Sequence, residues 1–167
     1  MEITGAAKVG GVFTVEQIRD GKVIDSWEEK NIVVNEGLNN LLDAYLHGTT
    51  QTTTWYVGLF EGNYTPLATD TGANIVANAT ECTAYDEAVR QTWVEAAASS
   101  QSITNSANKA TFTINATKTV YGAFLISTST KSDTAGILFA ATKFSASRSV
   151  VATDQLLVTY TVTAATA

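Results

Sequence analysis

Apolar and polar positions alternate with a period of two over much of the chain, which is the pattern of strands with one buried face. Residues 12–18 (Val-Phe-Thr-Val-Glu-Gln-Ile) and 23–27 (Val-Ile-Asp-Ser-Trp) flank Arg19-Asp20-Gly21-Lys22. Two extended runs around Asp-Gly predict a hairpin, because glycine accepts a positive φ at low cost. Its pairing is expected to continue to Ile32-Val33-Val34. Towards the far end, Ala110, Phe112, Ile114 and Ala116 alternate with Thr111, Thr113 and Asn115. Leu156, Val158, Tyr160 and Val162 alternate in the same way with Leu157, Thr159, Thr161 and Thr163. Residues 120–127 and 137–144 read as apolar strands separated by a polar turn over 128–133. Residues 55–60 (Trp-Tyr-Val-Gly-Leu-Phe) are apolar at every position. Such a strand is buried on both faces.

One stretch changes period. Leu38, Leu41, Leu42 and Tyr45 fall at i, i+3, i+4 and i+7, a single stripe of a helix over about 35–47. Asn35 is placed to cap it, Glu36 lies near the positive end of its dipole, and Gly48 suits its C-terminal stop. The helix is expected to plug one side or end of a sheet. From 61 to 109 the periodicity weakens, and short strands or a projecting functional loop are expected there. Residues 1–11 are small, rich in Gly and Ala and without period, so they read as a flexible arm, either a plain disordered terminus or a segment that orders on a neighbouring subunit. Residues 12–167 then form one domain, mainly β: a β-sandwich or jelly-roll-like fold with one short α-helix.

Composition supports that class. The 167 residues are 45% hydrophobic and 16% charged, as in a folded globular chain with a core of its own. The net charge of −6 comes with ten scattered Lys and Arg, which argues against a nucleic-acid partner, since phosphate binding needs concentrated cations. No apolar run approaches the roughly 20 residues of a membrane-spanning helix, so no membrane partner is expected. A signal peptide is not visible, and the lone Cys82 has no disulfide partner, so a soluble cytoplasmic product is expected.

Reactive chemistry finds little footing. His47 is the one histidine, and in the last turn of the helix it reads as a dipole partner rather than a base. Neither His47 nor Cys82 has a companion of its type for a zinc site. Phosphate-loop glycine motifs are missing, and Asp70 and Asp133 lack the spacing of a calcium loop. Glu28-Glu29, Asp86-Glu87 and Glu95 are the carboxylates a glycosidase would need, but in so acidic a chain they read as solvated faces. The sequons at Asn63, Asn78 and Asn115 carry no weight without a secretory route. No catalytic, cofactor-binding or metal residue is assigned, and no enzyme is expected.

The aromatic residues are the remaining candidates. Trp27 and Trp55 read chiefly as core packing, with a sugar platform or interface as the other reading. Tyr85, Arg90 and Trp93 sit in the irregular middle, where interface and core are equally open, and Arg90 has the further option of pairing with a nearby acid. Together with Trp55 they form the candidate interface set.

The order of segments carries a resemblance. It runs from Arg19-Asp20-Gly21-Lys22 through Lys30-Asn-Ile-Val-Val-Asn-Glu-Gly-Leu-Asn39-Asn-Leu-Leu-Asp43 to Trp55-Tyr-Val-Gly-Leu-Phe60. Then come Thr83-Ala-Tyr-Asp-Glu-Ala-Val-Arg90-Gln-Thr-Trp93, Gly136-Ile-Leu-Phe-Ala140, Phe144-Ser-Ala, and Asp154-Gln-Leu-Leu-Val-Thr-Tyr160-Thr. Over nearly all of the chain after residue 10, this resembles the small β-rich structural proteins of tailed bacteriophages, most of all the capsid decoration (cement) proteins. The resemblance implies a homo-oligomer that binds the major capsid protein lattice on the exterior of the virion and is assembled in the host bacterial cytoplasm. It implies no catalytic residue. A tail, neck or fibre-associated module, glycan-binding through exposed aromatics, is the alternative it leaves.

Overall fold

The computed structural model describes residues 6–166. Its strands are β1 (Ala7–Arg19), β2 (Lys22–Lys30), β3 (Ile32–Val33), β4 (Tyr56–Phe60), β5 (Glu81–Cys82), β6 (Gln91–Thr92), β7 (Ser102–Thr104), β8 (Ala110–Thr113), β9 (Lys118–Ile126), β10 (Leu138–Val150) and β11 (Gln155–Thr166). Helix α1 (Asn35–Leu42) runs on into a π-helical turn over Asp43–His47, and α2 spans Gly72–Asn78. The strands form two antiparallel sheets, and the fold is the predicted β-sandwich. One sheet has the order β2-β1-β11, with the far edge of β11 shared by β7 and β8; the other has β3-β10-β9-β4, with the far edge of β4 shared by β5 and β6.

The predicted β1–β2 hairpin forms around Asp20 and Gly21, both with positive φ (50° and 73°), as a two-residue turn matching the strand twist requires. Its pairing ends at Lys30 opposite Val12, however. The chain crosses at Asn31 to the second sheet, where Ile32 and Val33 pair with β10 rather than prolonging the hairpin. The arm expected over 1–11 is corrected in part. Residues 1–5 lie outside the described ones, but β1 begins at Ala7, and its register with β11 is unbroken from Ala7↔Thr166 to Ile18↔Gln155. A β-partner from the other end of the chain is what short-range periodicity cannot register.

Two clusters make the core. The larger lies between the sheets and includes Phe13, Val15, Leu156, Val158 and Tyr160 of one sheet with Val57, Leu59, Leu125 and Phe144 of the other. The smaller holds Phe60, Phe124, Ile126 and Leu138 with Ile75, Val76 and Ala79 of α2 and its C-terminal end. The second sheet is therefore covered on both faces. That accounts for 55–60 within a single chain: Val57 and Leu59 belong to the inter-sheet core, while Phe60 belongs to the α2 side.

Helix α2 was not expected from periodicity, although a capping box marks its start. Thr71 N–H donates to Asn74 Oδ1 at 2.7 Å, and the Thr71 side chain answers at the N3 backbone. Helix α1 is capped differently from the expectation: Val34 holds the N-cap without a side-chain bond, and Asn35 is the first helical residue. Glu36 does more than face the dipole. Its Oε2 accepts from Gly72 N–H (2.8 Å) and Leu138 N–H (2.7 Å), tying α1 to α2 and β10. Gly37 allows close seating on β10, since a Cβ there would lie 2.5 Å from Phe139 O. Gly48 ends the helical stretch in the left-handed region, φ 77°, as predicted.

Candidate interaction surface

Of the four residues singled out as an interface set, three are inside the molecule. Arg90 is completely buried. Its Nε and Nη2 donate to the two carboxylate oxygens of Glu81 on β5 at 2.7 and 2.9 Å, and Nη1 and Nη2 also reach the carbonyls of Thr128 and Asp133 at 3.0 Å. Glu81 in turn accepts from Ser132 N–H at 2.6 Å. The guanidinium thus anchors the β9–β10 loop from below, and the pairing-with-an-acid reading is the one that holds. Desolvating an arginine so fully requires such a ring of acceptors.

Tyr85 is also buried, edge-on to Phe112, with the Lys131 ammonium 3.6 Å above its ring. Burial raises its phenol pKa above the ordinary range. Trp93 is buried against Tyr160, and its indole N–H donates to Tyr160 O at 3.0 Å. An interface role for these three is corrected: their surfaces are spent on the chain's own core. Trp27 is core as well, with Phe144 edge-on and the Arg148 guanidinium 4.4 Å over its ring.

Trp55 alone stays partly exposed. It precedes β4, meets Phe139 edge-on at 5.6 Å, and its carbonyl accepts from Trp93 N–H at 2.8 Å. Trp55 and Phe139 form one wall of an apolar cleft of about 230 Å³ whose other walls include Val9, Ile103 and Val162 on the overhanging end of the first sheet, and Leu41 on α1. A more polar recess of about 370 Å³, lined by Tyr45 and Thr52, adjoins it across Leu41, Trp55 and Phe139. Helix α1 does sit on β10, as expected of it, but through Gly37 and Glu36 and not through most of the predicted stripe. Leu41 and Leu42 are 43% and 54% exposed, and Tyr45 and Leu46 of the π-helical turn are 86% and 74% exposed. Side chains of this size at such exposure, contiguous with an apolar cleft, make this the candidate interaction surface.

Trp55, read chiefly as core with an interface as the other reading, is half-buried, and sequence reasoning did not single out Tyr45 and Leu46 as exposed or Phe139 as half-buried beside it. No local signal marked them: Leu38, Leu41, Leu42 and Tyr45 make one ordinary amphipathic stripe, and its period does not say whether anything covers it.

The remaining reactive groups are occupied elsewhere. The imidazole Nδ1 of His47 lies 3.4 Å from Asp43, one turn back. Cys82 is buried, and that burial raises its thiol pKa. Glu29 and Glu87 hold backbone N–H groups of Ser145 and Thr113. Among the described residues no three His, Cys, Asp or Glu side chains gather as metal ligands, and no helix is long and apolar enough to cross a membrane. No protein-family model matches the chain, and no curated protein matches it in sequence.

Proposed function

We propose that the protein is a non-catalytic structural subunit of a tailed-bacteriophage particle, a decoration protein that oligomerises and packs against the major capsid protein on the head exterior. The observation that carries this reading is the contiguous apolar face made by α1, its π-helical turn, Trp55 and Phe139, which holds the most exposed large hydrophobic side chains among the described residues. Cementing a lattice needs contact area and a rigid body, not a reactive group. Rigidity comes from the doubly covered second sheet and from the Arg90–Glu81 anchor under the β9–β10 loop. The segment order resembling phage decoration proteins supplies the choice of particle.

The test is the copy number of the protein in purified particles, measured by quantitative mass spectrometry against the major capsid protein. A ratio close to that of the capsid subunit is expected. A handful of copies per particle moves the protein to the tail or neck, and its absence from particles overturns the reading.

A further inference from the structure

We propose that the apolar face is occupied by a second copy of this chain, related by a two-fold axis, with Tyr45 and Leu46 of each copy seated in the cleft beside Trp55 of the other. The inference rests on taking that face as an interface, as above, and names its partner.

Three quantities favour a copy of the chain. The cleft of about 230 Å³, with the adjoining recess of about 370 Å³, has room for two large side chains. The chain itself presents such side chains: Tyr45 and Leu46 are its two most exposed large hydrophobic residues among those described, and they stand on the element that borders the cleft. Area gives the third. At about 150–200 Å² for a large apolar side chain, Leu41, Leu42, Tyr45 and Leu46 together leave on the order of 400–500 Å² uncovered. Two such faces brought together, with Trp55 and Phe139 at their margins, remove about 1,000 Å² from water, the lower bound for a specific interface.

Symmetry follows from position. The projection and the recess lie side by side on one patch, sharing Leu41 as a border. A patch that carries both halves of a contact satisfies itself across a two-fold axis, which closes the assembly and leaves no unfilled copy of either half. The polar groups on the projecting turn, Asp43 and His47, are directed to each other within the chain.

The experiment is light-scattering mass measurement on the intact chain over a dilution series, for the natural sequence and for Tyr45→Ser with Leu46→Ser. A dimer is expected for the natural chain, with its dissociation constant raised at least tenfold by the double substitution. Both residues are solvent-facing, so the variant keeps its fold, which circular dichroism verifies. As a second arm, Leu46→Cys and Val9→Cys chains are mixed under mild oxidation, and a disulfide-linked heterodimer is expected in the mixture. A monomeric natural chain, an oligomer that survives the double substitution unchanged, or a mixture without the cross-linked heterodimer overturns the proposal. Particle copy number is independent of these outcomes, so failure here is distinguishable from failure of the decoration reading.

Discussion

Arg90 and Glu81 form a two-pronged ion pair, at 2.7 and 2.9 Å, with side chains 0% and 2% exposed. Attraction within such a pair offsets a large desolvation cost, so removing one partner strands the other charge in a dry site. Arg90→Ala or Glu81→Ala is expected to cost about 3–5 kcal/mol, read from urea unfolding. Arg90→Lys should recover little, because one ammonium cannot reproduce the fork that also serves Thr128 O and Asp133 O. A loss under 1 kcal/mol for Arg90→Ala would show that the pair does not anchor the loop.

Asp154 gives the fold an acid-sensitive joint. Its fully buried carboxylate accepts from Arg19 Nε and Nη2, both at 2.7 Å, and also from Gln17 and Val151 N–H. The Arg19 bonds are the main cause holding its pKa down to about 2, against about 3.9 in an unfolded chain. The folded form therefore binds fewer protons, so the contribution is complete above about pH 4 and is lost as the pH falls towards 2. Its size is on the order of 2 kcal/mol. Asp154→Asn is expected to lower stability at neutral pH and to flatten the stability curve between pH 4 and 2. An unchanged slope in that window would locate the acid sensitivity elsewhere.

Glycine and phenylalanine alternate across β4 and β9: Gly58 faces Phe124, and Phe60 faces Gly122. Each ring lies over the opposing glycine. A Cβ on Gly122 would meet Phe60 Cζ at 2.0 Å and Thr142 O at 2.2 Å. Gly122→Ala is expected to destabilise by about 1–3 kcal/mol through overpacking, despite alanine's lower entropic cost. A neutral or stabilising result in thermal melts would mean that the two strands part without penalty.

Asn105 stands in for a missing piece of strand. Between the segments of β11 paired to β8 and to β7, Tyr160 N–H donates to Asn105 Oδ1 at 2.7 Å, and Asn105 Nδ2 donates to Val158 O at 3.1 Å. Asn105→Ala leaves both backbone groups buried and unpaired, for a loss of about 2–4 kcal/mol. Amide exchange at Tyr160 reports it directly: protection should fall well below that of its neighbours, and equal protection would argue for another acceptor.

Tyr45→Ser is expected to leave the unfolding free energy of dilute protein within about 0.5 kcal/mol of the original, as for any residue outside the core. A drop of 2 kcal/mol would mean that the π-helical turn packs into its own chain.

Most strands were legible because their alternation reflects contacts made within a pleated sheet. The 110–116 and 156–162 runs keep Phe112, Leu156, Val158 and Tyr160 inward as their period demands. The 35–47 stripe was legible as helix but not as surface, because periodicity aligns side chains without saying what faces them. Arg90, Tyr85 and Trp93 were conspicuous by type, yet their burial depends on Glu81, Lys131 and Tyr160, partners that only the completed sheets bring near. Helix α2 escaped notice because Ile75, Val76 and Ala79 are too few to establish a period, and Thr71 with Asn74 was its one local mark.

β11, the last strand, is an interior strand of its sheet, with β1 on one side and β7 and β8 on the other. During synthesis the β1–β2 hairpin emerges first and then waits for its neighbour until residues 155–166 have followed. Until that moment Phe13 and Val15 have no completed sheet around them. Folding by this route is slow, since its longest register joins segments far apart in the chain. Removing residues 155–166 would take out the middle of a layer, not trim its margin, and expose sticky half-built sheets to the cell's chaperones and proteases.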